Sequence, residues 1–182
     1  MSDEVLFPRA VLIDRREKAA YSFTGFRTNI RQGEKPLRVL TRIVDLRSGD
    51  YSLVGLQDQI AVERKSHEDL VHTLAQQRKR FQKELERLSR MTFAAVVVEA
   101  EWSTILDHPP ANSRLSPKTI FRSVIAWQQL FPAVHWWFAP GRRPAEIVTF
   151  RILEMFARRV RPSNEEGDHD KSPPSSIRNE CE

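Results

Sequence analysis

The stretch that decides the fold is GDYSLVGLQDQIAVERKSHED, Gly49 to Asp69. Leu53–Val54 and Ile60–Arg64 read as the two strands of a hairpin, with Gly55-Leu56-Gln57-Asp58-Gln59 as the turn. Side chains two apart on a strand share a face, so Glu63 and Lys65 point one way and Arg64 the other. Asp50, where the hairpin begins, is then expected beside Glu63. Two carboxylates take up a hard cation through oxygen, and an ammonium beside them orients or activates a water. This is the equipment of metal-dependent phosphodiester cleavage. Each piece also has a plain structural reading: Gly-Asp pairs make turns, and Glu-Arg-Lys commonly ends a solvated strand.

The pattern Gly-Asp, a spacer, Glu-Arg-Lys, three residues and Asp69 resembles the nuclease domain of the XPF family of structure-specific endonucleases. Upstream, Ala10-Val11-Leu12-Ile13-Asp14-Arg15-Arg16-Glu17 is similar to the family's opening strand, which ends Asp-x-Arg-Glu. Downstream, Arg78 and Gln82 fall where the family carries an Arg and a Gln, although Gln77 stands where the family often has Gly. The resemblance spans residues 11–99. It implies a restriction-endonuclease-like α/β core, a mixed central sheet flanked by helices. It also implies Asp14, Asp50 and Glu63 as ligands of one or two Mg (or Mn) ions, with the Arg64 carbonyl as a further ligand. Lys65 would position the attacking water and steady charge on the phosphate. Arg64, facing away, is expected to pair with Asp69 and lock strand to helix; Arg16 and Glu17 are expected in support.

Outside the motif, alternating strands and helices argue an α/β fold independently. Ala10–Asp14 reads as a buried strand, Leu37–Leu46 as a second, Thr92–Glu99 as a fully buried one and Val134–Phe138 as another. Residues 15–34 read as a short helix or loop. Ser66 caps a helix predicted over His67–Arg90, with an apolar stripe of Leu70, Leu74, Phe81, Leu85 and Leu88. Arg78 borders that stripe. Lys79 and Lys83 are candidate DNA contacts on its polar face, although Glu84 and Glu86 reduce the field there. Ser116-Pro117 opens a helix to about Leu130, and the last helix begins near Pro144 and ends near Val160, preceded by Arg142 and Arg143 as candidate phosphate contacts. Trp102, Trp127, Trp136 and Trp137 are expected in the core rather than stacked on bases.

At 182 residues the chain suits one domain, 1–161, followed by a Ser/Pro/acid-rich tail, 162–182, expected to be disordered. Net charge is +5, yet residues 161–182 carry three Lys/Arg against six Asp/Glu, leaving +8 on the first 160. A basic body suits a polyanion such as nucleic acid, and the family resemblance implies DNA. No run of 18 apolar residues predicts a membrane helix, and MSDEVLFPRA is no secretory signal. The single cysteine, Cys181, allows no internal disulfide, and an intracellular, reducing location is expected. Neither a zinc spacing, nor a P-loop for ATP, nor a Gly-x-Ser-x-Gly elbow is present.

The reading is a Mg- or Mn-dependent DNA endonuclease acting at branched or flap structures. The competing reading is a non-catalytic DNA-binding or dimerisation partner of a nuclease; such partners in the family have degenerate acids, whereas these are intact. A restriction-type nuclease sharing only the fold is a third. By resemblance, elements after Ser116 are expected to support a homodimer or a protein partner.

Overall fold

The computed structural model describes residues 4–160 apart from 30, 32, 109 and 111–114. The tail expectation therefore lies outside the described residues. Among the described residues, nine strands and five helices follow in order: β1 Val5–Leu6, β2 Val11–Asp14, β3 Phe26–Arg27, β4 Pro36–Arg38, β5 Thr41–Val44, β6 Tyr51–Leu53, β7 Ile60–Lys65, α1 His67–Gln76, α2 Arg78–Leu88, β8 Phe93–Val98, α3 Trp102–Asp107, α4 Pro117–Leu130, β9 Val134–Phe138 and α5 Arg142–Arg159. A six-stranded mixed sheet in the order β5-β2-β6-β7-β8-β9 forms the centre, and β1, β4 and β3 make a smaller sheet.

Strand alternation sorts the sheet's side chains onto two cores. Ile60 and Val62 of β7, with Ala95 and Val97 of β8, join Phe150, Leu153 and Phe156 of α5. Ala61, with Ala94, Val96 and Val98, joins Leu70, Leu74, Phe81, Leu85, Ile120, Val124 and Trp127 of α1, α2 and α4. The period-2 rule that divides these residues also sends Glu63 and Lys65 toward α1 and α2, and Arg64 toward α5. This is the restriction-endonuclease-like arrangement, a mixed sheet with helices on both faces. No described helix is long and apolar enough to cross a membrane.

Two sequence expectations are corrected and a third is resolved. Leu37–Leu46 is not one strand: Leu37 and Arg38 pair in the small sheet with β1, whereas Thr41–Val44 pair with β2. The chain changes sheets between them, and no Gly or Pro marks the turn. Residues 15–34 take the loop reading, apart from the two-residue strand β3, with no α-helix among the described residues of that segment. The helix expected over 67–90 is two. Gln77, at φ −117 and ψ 18, ends α1 by donating its N–H to the Thr73 carbonyl, and its own carbonyl accepts the N–H of Phe81. The apolar stripe keeps helical phase across the break, so periodicity alone does not reveal it.

The aromatics are mainly structural. Trp127 is 2% exposed and stacks near Trp136, and Trp102 packs on Phe121 and Phe138. Trp137 departs from the core expectation at 47% exposed, beside α5, because β9 is an edge strand whose α5-facing side is only partly covered.

Candidate active site

Gly49 makes the hairpin entrance. It adopts φ +73, and a Cβ there would lie 2.9 Å from that of Ala61, so a side chain is excluded on two counts. The turn delivers Asp50 into the sheet: its N–H donates to the Val62 carbonyl, its carbonyl accepts from Asp14 N–H, and its Oδ2 accepts the Arg64 N–H at 2.7 Å. Asp14, Asp50 and Glu63 thus come from three adjacent strands, β2, the entrance to β6, and β7.

These groups meet in a pocket of 470 Å³ lined also by Arg16, Lys65, Thr73, Gln77, Arg80, Lys83, Glu84 and Arg87. On its floor the Lys65 ammonium lies 2.9 Å from Glu63 Oε1 and 4.7 Å from the centre of the Phe81 ring. Burial, reinforced by the charge of Glu63, holds the Asp50 carboxyl well above the usual range. Burial raises Glu63 too, against the pull of Lys65. For Lys65, burial works against the charge, but Glu63, then Asp50 and Asp69, outweigh it and keep the ammonium protonated.

Asp14 differs from the other two acids. Its Oδ1 accepts from the backbone N–H and Nε of Arg16, and its Oδ2 accepts from Arg16 and from the Leu46 N–H, all within 2.9 Å. Burial alone would push this carboxyl up, yet these donors bring it below its ordinary value. Asp14 thereby spends its acceptors on holding Arg16 at the pocket mouth. Among the described residues no three His, Cys, Asp or Glu side chains converge as a metal cage. The expected ligands Asp14, Asp50 and Glu63 all line this pocket, Asp14 held by Arg16 and the pair Asp50 and Glu63 beside Lys65. The chemistry of that pair still fits Mg or Mn, hard ions that bind through one or two carboxylates, water and substrate oxygens.

Arg64 lies on the other face of β7, as alternation requires, but its partner is not Asp69. Its Nε and a terminal nitrogen donate to the two carboxylate oxygens of Glu99 at 2.7 and 2.8 Å, and Glu17 lies 3.6 Å away. Residue 99 follows β8, which pairs in parallel with β7, so sheet register and not helix proximity selects it. Asp69 instead gives its backbone N–H to Ser66 Oγ in the cap of α1.

The residues expected to touch DNA divide. Lys83 lines the pocket. Arg78 turns away, donating to Ser123 Oγ of α4 at 2.9 Å with its guanidinium over Trp127, and Gln82 does not line the pocket. Lys79 lies in a shallow surface depression between the two helices. Arg142 donates to the Ala19 and Ala20 carbonyls and lies over Tyr21; Arg143 binds Glu146 and the Thr24 carbonyl. Both arginines fasten the 19–24 segment to α5. The pocket-facing helical residues that the motif reading passed over are Arg80, Glu84 and Arg87. With Thr73 and Gln77 they follow a three-and-four spacing through both helices, a stripe visible in the sequence beside the apolar one.

Comparison with known proteins agrees with the fold. Residues 13–148 match the family model described as the ERCC4 domain. Among solved structures, XPF from Aeropyrum pernix is similar, at 20% identity and a TM-score of 0.56, covering 92% of this chain and 69% of that one. The same protein in complex with DNA is similar at 22% identity and a TM-score of 0.55, covering 86% and 68%. No curated protein sequence matches the chain.

Proposed function

Since the chain belongs to the ERCC4-domain family of XPF-type nucleases, we propose that it is a Mg- or Mn-dependent DNA endonuclease that hydrolyses phosphodiester bonds at branched or flap DNA. The observation that carries this is the pairing of Asp50 and Glu63, two carboxyls raised by burial beside the Lys65 cation, under a rim of Arg16, Arg80, Lys83 and Arg87. A rim of four cations over an acidic floor suits a backbone phosphate that arrives with a divalent ion.

Asp50 and Glu63 would hold the ion, which when bound supplies Lewis-acid activation of water and of the phosphate. The chain's own residues do the rest. The Arg64 N–H fixes one oxygen of Asp50 and leaves the carboxylate aimed at the pocket. Lys65, held protonated by Glu63, offers a cation to the charge that develops on the phosphate oxygens as water adds to phosphorus and the P–O bond breaks. It acts as an electrostatic group rather than as a base. Arg80 and Lys83 orient the flanking backbone. DNA as ligand is supported by the family and by the fold shared with a protein solved on DNA.

The competing reading, a non-catalytic partner, would be favoured by eroded acids, and the intact Asp50, Glu63 and Lys65 argue against it. The deciding assay offers the protein flap, fork, junction, single-strand and duplex DNA with Mg, Mn or chelator. Metal-dependent cuts at branched substrates are expected. Binding without cleavage under every metal condition would establish the partner reading instead.

A further inference from the structure

We propose that Glu84 and Arg87 of α2 form a positioning clamp on the Ser48–Gly49 turn, and that this clamp sets the metal affinity of Asp50. Glu84 Oε1 accepts the Gly49 N–H at 2.9 Å, and its Oε2 contacts Arg87. The Nε of Arg87 in turn donates to Ser48 Oγ at 3.2 Å. One helix face therefore grips two consecutive residues of the turn immediately before Asp50, through a backbone N–H and a side-chain hydroxyl.

The turn needs such an anchor. Gly49 is buried in the left-handed region, where its N–H has no ladder partner of its own, and Ser48 is 5% exposed. A buried amide without an acceptor costs about 1–3 kcal/mol, and a glycine with both φ and ψ free has many other conformations to adopt. Glu84 supplies the acceptor from α2, which is fixed on the sheet by Phe81, Leu85 and Leu88 packed with β8 residues as well as with Ala61 of β7. Both Glu84 oxygens are engaged within the protein, so Glu84 acts through Asp50 rather than as a ligand in its own right. The inference rests on the metal-site reading above and goes beyond it by making α2 part of the ion's support. Groups that orient metal ligands typically cost 10–100-fold in affinity when removed, by order of magnitude.

The test measures Mn binding by electron paramagnetic resonance of the free ion, together with hydrogen exchange at the Gly49 amide. The proteins compared are wild type, Glu84→Gln, Glu84→Ala and Asp50→Asn. Glu84→Gln retains an oxygen for Gly49, whereas Glu84→Ala removes it. The clamp predicts that Glu84→Ala loses protection at Gly49 and weakens Mn binding about 10-fold or more, while Glu84→Gln keeps the protection and most of the affinity. If Glu84→Gln loses Mn as fully as Asp50→Asn does, Glu84 is a ligand and the clamp is wrong. If Glu84→Ala exposes Gly49 and leaves Mn affinity unchanged, the contact is only structural and the proposal fails. If wild type and Asp50→Asn bind Mn equally, the metal-site reading itself fails, a result separable from the other two.

Discussion

The backbone N–H of Arg64 donates to Oδ2 of Asp50 at 2.7 Å, so the strand that carries Glu63 and Lys65 also orients the acid opposite them. Three consecutive residues of β7 therefore serve one centre in three ways: a side chain on its floor, a backbone donor to its partner acid, and a cation. The side chain of Arg64 is meanwhile free to act on the far side of the sheet, and mutations in this motif should separate chemistry from stability.

Asp50→Asn should abolish cleavage and stabilise the metal-free protein. Asp50 and Glu63 both titrate higher in the folded protein than in the unfolded chain. Their stabilising contribution is therefore fully present below about pH 4, where the unfolded carboxyls are protonated. It is lost as pH rises through the raised folded values. The melting-temperature advantage of Asp50→Asn over wild type, without metal, should grow as pH rises above the ordinary carboxylate range. A constant or negative difference there would mean that folding does not raise the Asp50 carboxyl.

Arg64→Ala should act on stability. It leaves Glu99 and Glu17, each 8% exposed at the side chain, without their main counter-charge. Breaking a buried pair this way costs about 3–5 kcal/mol, a fall of roughly ten degrees in melting temperature for a chain of this size. Thermal melting with and without Glu99→Gln in the same chain measures it. If the double mutant is no more stable than Arg64→Ala alone, the stranded Glu99 charge is not the cause.

Lys65→Met should slow cleavage by about 10² or more, since it replaces the ammonium that lies 2.9 Å from Glu63 and over the Phe81 ring with an uncharged chain of similar length. Single-turnover rates on a flap substrate are the measure. A rate loss below about threefold would remove Lys65 from the chemistry.

Arg80→Ala and Lys83→Ala should each lower the slope of log affinity against log salt by about 1 if each meets one phosphate. Arg78→Ala, Arg142→Ala and Arg143→Ala should leave that slope unchanged, since those side chains are bound to Ser123, to the Ala19 and Ala20 carbonyls, and to Glu146. Fluorescence anisotropy with labelled DNA over a salt series distinguishes the two groups.

The parts of this site legible in the sequence are those set by strand periodicity. Glu63 and Lys65 on one face and Arg64 on the other follow from a spacing of two, and the buried run of β8 follows from composition. Partners set by tertiary register were not legible. Arg64 takes Glu99 because β7 and β8 run parallel in a particular alignment, and no local pattern encodes that choice. The break at Gln77 was hidden because the apolar stripe continues across it. The family resemblance points to Arg78 and Gln82, whereas the helix presents Arg80 and Glu84, two positions further on, to the pocket.

The sheet order carries a consequence for how the protein acquires its activity. Asp14 and Asp50 sit on strands joined through a long excursion that visits the small sheet and the β5 edge before β6 inserts between β2 and β7. The β6–β7 hairpin closes a short loop, whereas β2 joins it only across that excursion, so the pairing that brings Asp14 beside Asp50 has the higher contact order. Arg16, which Asp14 holds, therefore reaches the pocket through a long-range pairing, whereas Asp50, Glu63 and Lys65 are brought together by a local one.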